Sequence, residues 1–278
     1  MKTLIVPAPA KVNLFLHVTG RRADGYHTLE SLIALIDLAD GITLARRDDG
    51  AIRRQGDVAG VPEERDLTLR AARALRDATG TRFGVDIAVA KRIPLGSGLG
   101  GGSSDAASVL LALNRLWELG LPRSGLSTLA LFLGADVPLF IAGENVIARG
   151  IGEIVSPVSL PPLFVALAFP PVAVPTADIF AAPELTRATP SAKMDVFSEG
   201  YGRNDLAPVT ASRFPAVGAA IQALARASPR ARMTGSGACV FAAFSSEAEA
   251  HDALRLLPAH TGGCVARTLA RHPLAMFA

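Results

Sequence analysis

The sequence predicts an α+β chain of two lobes around one cleft, and three observations lead there. The second half reads strand, helix, strand, strand, helix, strand; the first half carries a glycine-dense loop between a strand and a helix; and 278 residues exceed one average domain without reaching three. Half of the residues are apolar and 19% are charged, with a mean hydropathy of +0.34, so a substantial core is available and nothing reads as disordered.

Along the first half, Thr3–Val6 and Lys11–Thr19 read as two strands separated by prolines. The second alternates Val12, Leu14, Leu16 and Val18 against Asn13, Phe15 and His17. A polar turn follows over Arg21–Tyr26, then the apolar run Ser31–Leu38, a strand Asp40–Arg46, and a loop-rich or edge-hairpin stretch, Asp48–Arg65, expected to be a mobile edge. A helix is predicted over Leu67–Thr79, ended by Gly80 where a left-handed cap is easiest. Val85, Ile87 and Val89 alternate into a strand that leads through Lys91 to the glycine loop. Beyond the loop, Ala106, Val109, Leu110, Leu113 and Trp117 form the stripe of a helix with Ser103 or Ser104 as its N-cap. A second helix, Ser124–Leu133, stops at Gly134, just before Asp136.

The proline-rich stretch Ser156–Pro162 marks a boundary, dividing the chain into 1–157 and 158–278. The second half then gives strand Leu163–Phe169, helix Pro215–Ala227, strand Arg230–Thr234, strand Cys239–Phe244, helix Glu247–Leu257 and strand Gly263–Ala270. That βαββαβ order is ferredoxin-like, and Ser246 with Glu249 forms a capping box at the start of the last helix.

Charge and composition exclude several functions. The net charge is +3 and the arginines are scattered, with few aromatic residues among them, so neither a nucleic-acid groove nor a stacking platform is expected. The longest apolar stretch, Leu160–Val174, has four internal prolines and reads as a core strand with its flanks, not a membrane span. The start lacks the features of a secretory signal, so a cytoplasmic location is expected, with no membrane partner. Cys239 and Cys264 have no neighbours at metal-ligand spacing and read as buried thiols.

The chemistry sits in Pro94-Leu95-Gly96-Ser97-Gly98-Leu99-Gly100-Gly101-Gly102-Ser103-Ser104, with five glycines in seven positions. Such a density costs too much backbone entropy for an ordinary turn, so something must approach that backbone closely. Successive N–H groups and the positive end of the following helix suit a phosphate chain, and the hydroxyls of Ser103 and Ser104 suit phosphate or Mg²⁺. Gly96, Gly98 and Gly101 match G-x-G-x-x-G, but Glu118, the acid at dinucleotide spacing, ends a helix and not a strand. No Gly-Lys-Ser/Thr closes the loop, which excludes the P-loop reading.

Pro94–Ala107 resembles the phosphate-binding motif of the GHMP kinases. Pro9-Ala10-Lys11-Val12-Asn13-Leu14 is similar to the N-terminal motif of that superfamily, and Thr234-Gly235-Ser236-Gly237-Ala238-Cys239 to its third. Arg22-Ala23-Asp24-Gly25-Tyr26-His27 and Gly134-Ala135-Asp136-Val137-Pro138 resemble the branch that phosphorylates a cytidine diphosphate-linked methylerythritol. The resemblance implies a two-lobed GHMP kinase fold, with an S5-like N-terminal lobe, a ferredoxin-like C-terminal lobe and the active site between them. It implies transfer from ATP, with Mg²⁺, to the 2-hydroxyl of that acceptor in non-mevalonate isoprenoid precursor synthesis.

By the same resemblance Lys11 and Asp136 are the catalytic pair, Asp136 taking the hydroxyl proton and Lys11 stabilising developing charge. Residue type alone reads Asp136 as a turn residue and Lys11 as a solvent-facing strand residue. Tyr26 and Phe180 would sandwich the cytosine and His27 would read its edge, with Asn13, Arg22 and Thr176 as further acceptor contacts. Lys91 and Asp66 join the glycine loop as ATP contacts; Asp66 stands where the family often has Asn, so it accepts a hydrogen bond from adenine without donating one. Another GHMP kinase and a non-catalytic nucleotide-binding module remain as alternatives. No carboxylate is singled out as an Mg²⁺ ligand.

Overall fold

The computed structural model describes residues 2–192 and 202–278. The chain opens with two long antiparallel strands, β1 (Thr3–Arg21) and β2 (His27–Arg47), joined by a tight turn in which Gly25 N–H donates to the Arg22 carbonyl at 3.0 Å. The expected break at Pro7 and Pro9 is absent. On β1 their carbonyls accept from Ser108 Oγ (3.3 Å) and Ser104 Oγ (2.6 Å), on the side away from β2, so the missing prolyl N–H groups cost no ladder hydrogen bond. The expected two-faced alternation also fails. β1 is buried from Ala8 through Val18 because it runs through three clusters in turn, lined by Val6 and Ala8, by Val12 and Phe15, and by Leu16 and Val18.

The Asp48–Arg65 stretch supplies an edge strand, β3 (Ile52–Arg54), and a single 3₁₀ turn, Glu63–Arg65. Helix α1 (Leu67–Thr79) has the predicted bounds, with Gly80 in the left-handed conformation at its end. After β4 (Gly84–Ala90) comes α2 (Gly101–Leu116), whose stripe from Ala106 to Trp117 is buried as predicted. Then follow α3 (Arg123–Leu133), α4 (Val137–Ala142), β5 (Val146–Gly150) and β6 (Ile154–Pro157). These strands form one sheet in the order β3-β4-β2-β5-β6, with β1 paired to β2, and α1, α2 and α4 pack over it.

The second sheet begins with β7 (Phe164–Phe169). Two short helices, α5 (Thr176–Ala181) and α6 (Ala207–Arg213), precede α7 (Pro215–Ala225), β8 (Arg232–Met233), β9 (Val240–Phe244), α8 (Glu247–Leu254) and β10 (Gly262–Arg267). The strand order β10-β7-β9-β8, all antiparallel, is the ferredoxin-like arrangement. Ser246 Oγ accepts from Glu249 N–H at 3.3 Å, capping α8 as expected. Helices α5 and α6 escape sequence reading because six or seven residues carry too little of a 3.6-residue period.

The chain does not end in that lobe. Residues 268–278 return to the first sheet and helices, where Leu274 is buried in the first cluster and Arg123 donates to the Ala275 carbonyl at 2.5 Å. Cys239 and Cys264 are free thiols, the first fully buried and the second half-buried. No helix among the described residues is long and apolar enough to cross a membrane.

Candidate active site

A cleft of about 920 Å³ opens between the sheets, lined by the N-terminal motif, the glycine loop, the Asp136 turn and the 234–237 loop. Its far end is lined by Arg21, Asp24, Tyr26, His27, Thr176 and Phe180. The three motifs that carried the family resemblance thus converge on one cavity.

The glycine loop runs from β4 into α2 with Gly96, Gly98 and Gly100 at positive φ. Close ligand approach explains only part of its composition. A Cβ at Gly98 would lie 2.4 Å from the Thr234 carbonyl oxygen, and one at Gly235 would lie 3.1 Å from Gly98 Cα. The two lobes therefore meet backbone to backbone here, held further by Cys239 N–H donating to the Ser97 carbonyl at 3.1 Å. Around Gly96, by contrast, a Cβ would meet nothing within 4 Å, so this glycine borders open cleft.

Helix α2 begins earlier than predicted. Gly100 occupies its N-cap position at φ 74° with no side-chain cap, and neither Ser103 nor Ser104 caps it. The N–H groups of Gly101, Gly102 and Ser103 lie in the first turn, where no intrahelical acceptor exists, and all three residues line the cleft. An uncapped helix start facing a cavity is an anion site by its own dipole and donors. Ser104 is not part of it: its hydroxyl is bonded to Pro9 and its N–H to the Gly100 carbonyl at 2.9 Å. Of the remaining loop residues, Pro94 and Ser97 line the cleft, Leu95 faces solvent and Leu99 is buried.

Lys11 is 4% exposed, contrary to a solvent-facing reading. Its Nζ donates to Asn13 Oδ1 at 2.7 Å and lies 3.9 Å from Asp136 Oδ2, whose side chain is 46% exposed to the cleft. Burial lowers the Lys11 pKa from its ordinary value, and the nearby Asp136 carboxylate opposes that shift. Asn13 is the junction of the site: its Oδ1 also accepts from Thr234 Oγ1 (3.0 Å) and Gly235 N–H (2.9 Å), and its Nδ2 donates to Ser31 Oγ (2.8 Å). Expected as an acceptor contact, Asn13 has its carbonyl oxygen fully engaged in aiming Lys11 and tying it to the second lobe. Gly100 contributes by absence, since a Cβ there would sit 3.3 Å from Lys11 Cε.

Lys91 does not line the cleft. It is ion-paired beneath the loop with Asp40 and with Asp105 (2.9 Å), two carboxylates that sequence reading did not single out. Asp66 is likewise turned inward. Its Oδ1 caps α1 by accepting from Thr68 N–H (2.9 Å) and Oγ1 (2.6 Å), and its Oδ2 lies 3.4 Å from Arg54. That carboxylate caps α1 and does not line the cleft. Asp66→Ala, which removes both the cap and the buried carboxylate beside Arg54, is expected to lower stability by about 3–5 kcal/mol, and Asp66→Asn, which keeps the cap, by clearly less; urea unfolding reads both.

At the far end Arg21, the last residue of β1, lines the cleft, whereas Arg22 does not and pairs with Asp24 at 2.8 Å. Tyr26 is 62% exposed at the rim. The His27 and Phe180 rings lie 5.2 Å apart at 33°, and Thr176 Oγ1 is 2.7 Å from Ser236 Oγ, joining α5 to the 234–237 loop. His27 Nε2 accepts from Arg187 Nε at 3.0 Å, a partner with no sequence signal, being 160 positions away in a loop. Burial, then the charges of Arg187 and Arg21, hold the His27 pKa below its ordinary value.

Comparison with known proteins agrees with this assembly of motifs. The family profile described as GHMP kinases N terminal domain matches residues 66–144, and that described as GHMP kinases C terminal matches residues 184–262. A 4-diphosphocytidyl-2-C-methyl-D-erythritol kinase of Thiobacillus denitrificans is 57% identical, over 96% of this chain and 96% of its own. One of Cupriavidus necator is 53% identical, over 98% and 95%. A crystal structure of 4-(cytidine 5'-diphospho)-2C-methyl-D-erythritol kinase superposes with a TM-score of 0.83 at 35% identity, covering 95% of this chain and 99% of its own. The homoserine kinase of Cytophaga hutchinsonii shares the fold at a TM-score of 0.73 and 18% identity, covering 98% and 96%. With motifs, architecture and sequence in agreement over nearly its whole length, the chain belongs to the 4-diphosphocytidyl-2-C-methyl-D-erythritol kinase family of the GHMP kinases.

Proposed function

We infer that this chain transfers the γ-phosphoryl group of ATP to the 2-hydroxyl of 4-diphosphocytidyl-2-C-methyl-D-erythritol, giving the 2-phosphate and ADP in non-mevalonate isoprenoid precursor synthesis. The observation that carries the reading is the Lys11–Asp136 pair, 3.9 Å apart, in one cleft with an uncapped helix start and the Tyr26, His27 and Phe180 side chains.

In this reading the first-turn N–H groups of α2 hold the phosphate chain, and Leu67 and Pro94 border the nucleoside end. Asp136 orients the acceptor hydroxyl and takes its proton as the new P–O bond forms and the bond to the ADP oxygen breaks. Lys11, aimed by Asn13, stabilises charge on the transferring group. The transition state of such a transfer is loose, so positioning and electrostatics contribute more than bond-making by the protein.

Ser103 and Asp136 line the cleft where a nucleotide-borne Mg²⁺ would sit, and the ion would supply neutralisation of the charge developing on the phosphate. The residues present fit a metal carried chiefly by the nucleotide: among the described residues no group of three or more His, Cys, Asp or Glu converges. A coupled assay of ADP release with ATP and the cytidylyl acceptor tests the reading. Turnover should be lost in Asp136→Asn with ATP binding retained; a parent protein that binds ATP and never turns over would be a binding module.

A further inference from the structure

Arg187 lies in the chain segment between α5 and α6 and does not itself line the cleft. Its five N–H donors have five acceptors. Nε donates to His27 Nε2 at 3.0 Å; one terminal nitrogen reaches the Leu185 and Pro183 carbonyls at 3.0 and 3.4 Å; the other reaches those of Phe180 and Ala182 at 3.2 and 2.5 Å. One side chain thus binds both the histidine that opens β2 and the backbone that carries Phe180.

We propose that Arg187 is a positioning residue for base recognition: it holds the His27 imidazole in the tautomer protonated on Nδ1 and fixes the His27 and Phe180 rings as one wall of the base site. A guanidinium has donors and no acceptor, so the direction of the 3.0 Å hydrogen bond is not in doubt. Nε2 must accept, which leaves the proton of a neutral imidazole on Nδ1. With Nε2 occupied, Nδ1–H is the ring's remaining polar group for a ligand in the cleft. Cytosine and uracil share the O2 acceptor and differ at N3, a lone pair in cytosine and an N–H in uracil, so a fixed donor that meets N3 favours the cytosine ring. Burial, and after it the positive charges of Arg187 and Arg21, holds the His27 pKa below its ordinary value, which favours the neutral imidazole and preserves that pattern.

The proposal rests on a cytidylyl acceptor, and its test separates the two ideas. Nitrogen-15 NMR of imidazole-labelled parent protein near pH 7 should find His27 protonated on Nδ1, and Arg187→Met should shift it toward the Nε2–H form. Arg187→Met should raise KM for the cytidylyl acceptor about tenfold, leave kcat and the KM for ATP within about twofold, and narrow the preference over a uridylyl analogue about tenfold. In a His27→Ala background the same substitution should raise KM by well under tenfold, what remains being the hold on the Phe180 backbone. A purely structural Arg187 would impose the same KM penalty with or without His27, and that result overturns the proposal, as does an Nε2–H tautomer in the parent. Absence of turnover by the parent overturns the substrate reading and the base-recognition role with it; turnover with an unmoved tautomer in Arg187→Met overturns the Arg187 role alone.

Discussion

Asp136→Asn is expected to lower kcat by about 10²–10⁴-fold while leaving the KM for ATP within a few-fold. The amide keeps the size of the carboxylate and cannot take a proton at neutral pH, so the loss isolates proton removal from positioning. Lys11→Met should cost about 10²–10³-fold in kcat, the range for removing one charged stabiliser of a transition state. The two effects should not multiply. The groups lie 3.9 Å apart and Lys11 is buried, so each substitution already disables the unit, and the double variant should fall within about tenfold of the worse single one. Single-turnover measurement of phosphorylated acceptor, free of product release, reads all three. An Asp136→Asn variant retaining more than about a tenth of parent kcat removes the carboxylate from the chemistry.

Lys91→Met is expected to destabilise the fold by about 3–5 kcal/mol, the scale for removing one member of a buried ion pair. Asp40 is buried and accepts from Arg92 and Ile93 N–H (2.6 and 2.9 Å) as well as from Lys91; Asp105 has one oxygen with no hydrogen-bond partner among the described residues. Removing the ammonium leaves two carboxylates together beneath the start of α2. The pH dependence follows from Asp105, whose carboxyl burial pushes up to about 7 while Lys91 opposes the shift. A carboxyl with a raised folded pKa binds its proton on folding, so stability is lost as pH rises from the ordinary carboxylate range through that value. Without Lys91 the folded pKa climbs further. The deficit of the variant against the parent should thus narrow toward pH 5 and widen above pH 7, read as urea midpoints across that range. A deficit independent of pH would mean that Asp105 stays ionised in both.

The second lobe was legible because its strands and long helices carry strong periodic signals, with Ser246 and Glu249 marking a boundary by capping chemistry. In the first lobe the prolines of β1 misled, since a proline breaks a strand only where its N–H faces a partner, and sequence does not tell which edge is free. The glycine loop announced an anion site, yet two of its attributes were opaque. Gly98 is fixed as much by the carbonyl of Thr234 as by any ligand, and Ser104 bonds to β1; both facts arise from contacts more than 90 positions apart. Lys91, Asp66 and Arg187 share one lesson. Their types announce charge, but only the fold shows that the first two point into the protein and the third stands behind the residue that meets the cleft.

Because β1 feeds all three apolar clusters and the last residues return to the opening sheet, neither lobe owns a complete core. Severing the connection between β6 and β7 should therefore not liberate two autonomous modules. Heating or denaturant should dissolve both halves in a single transition, and ATP added to the cleft should raise the midpoint seen by probes in either half equally.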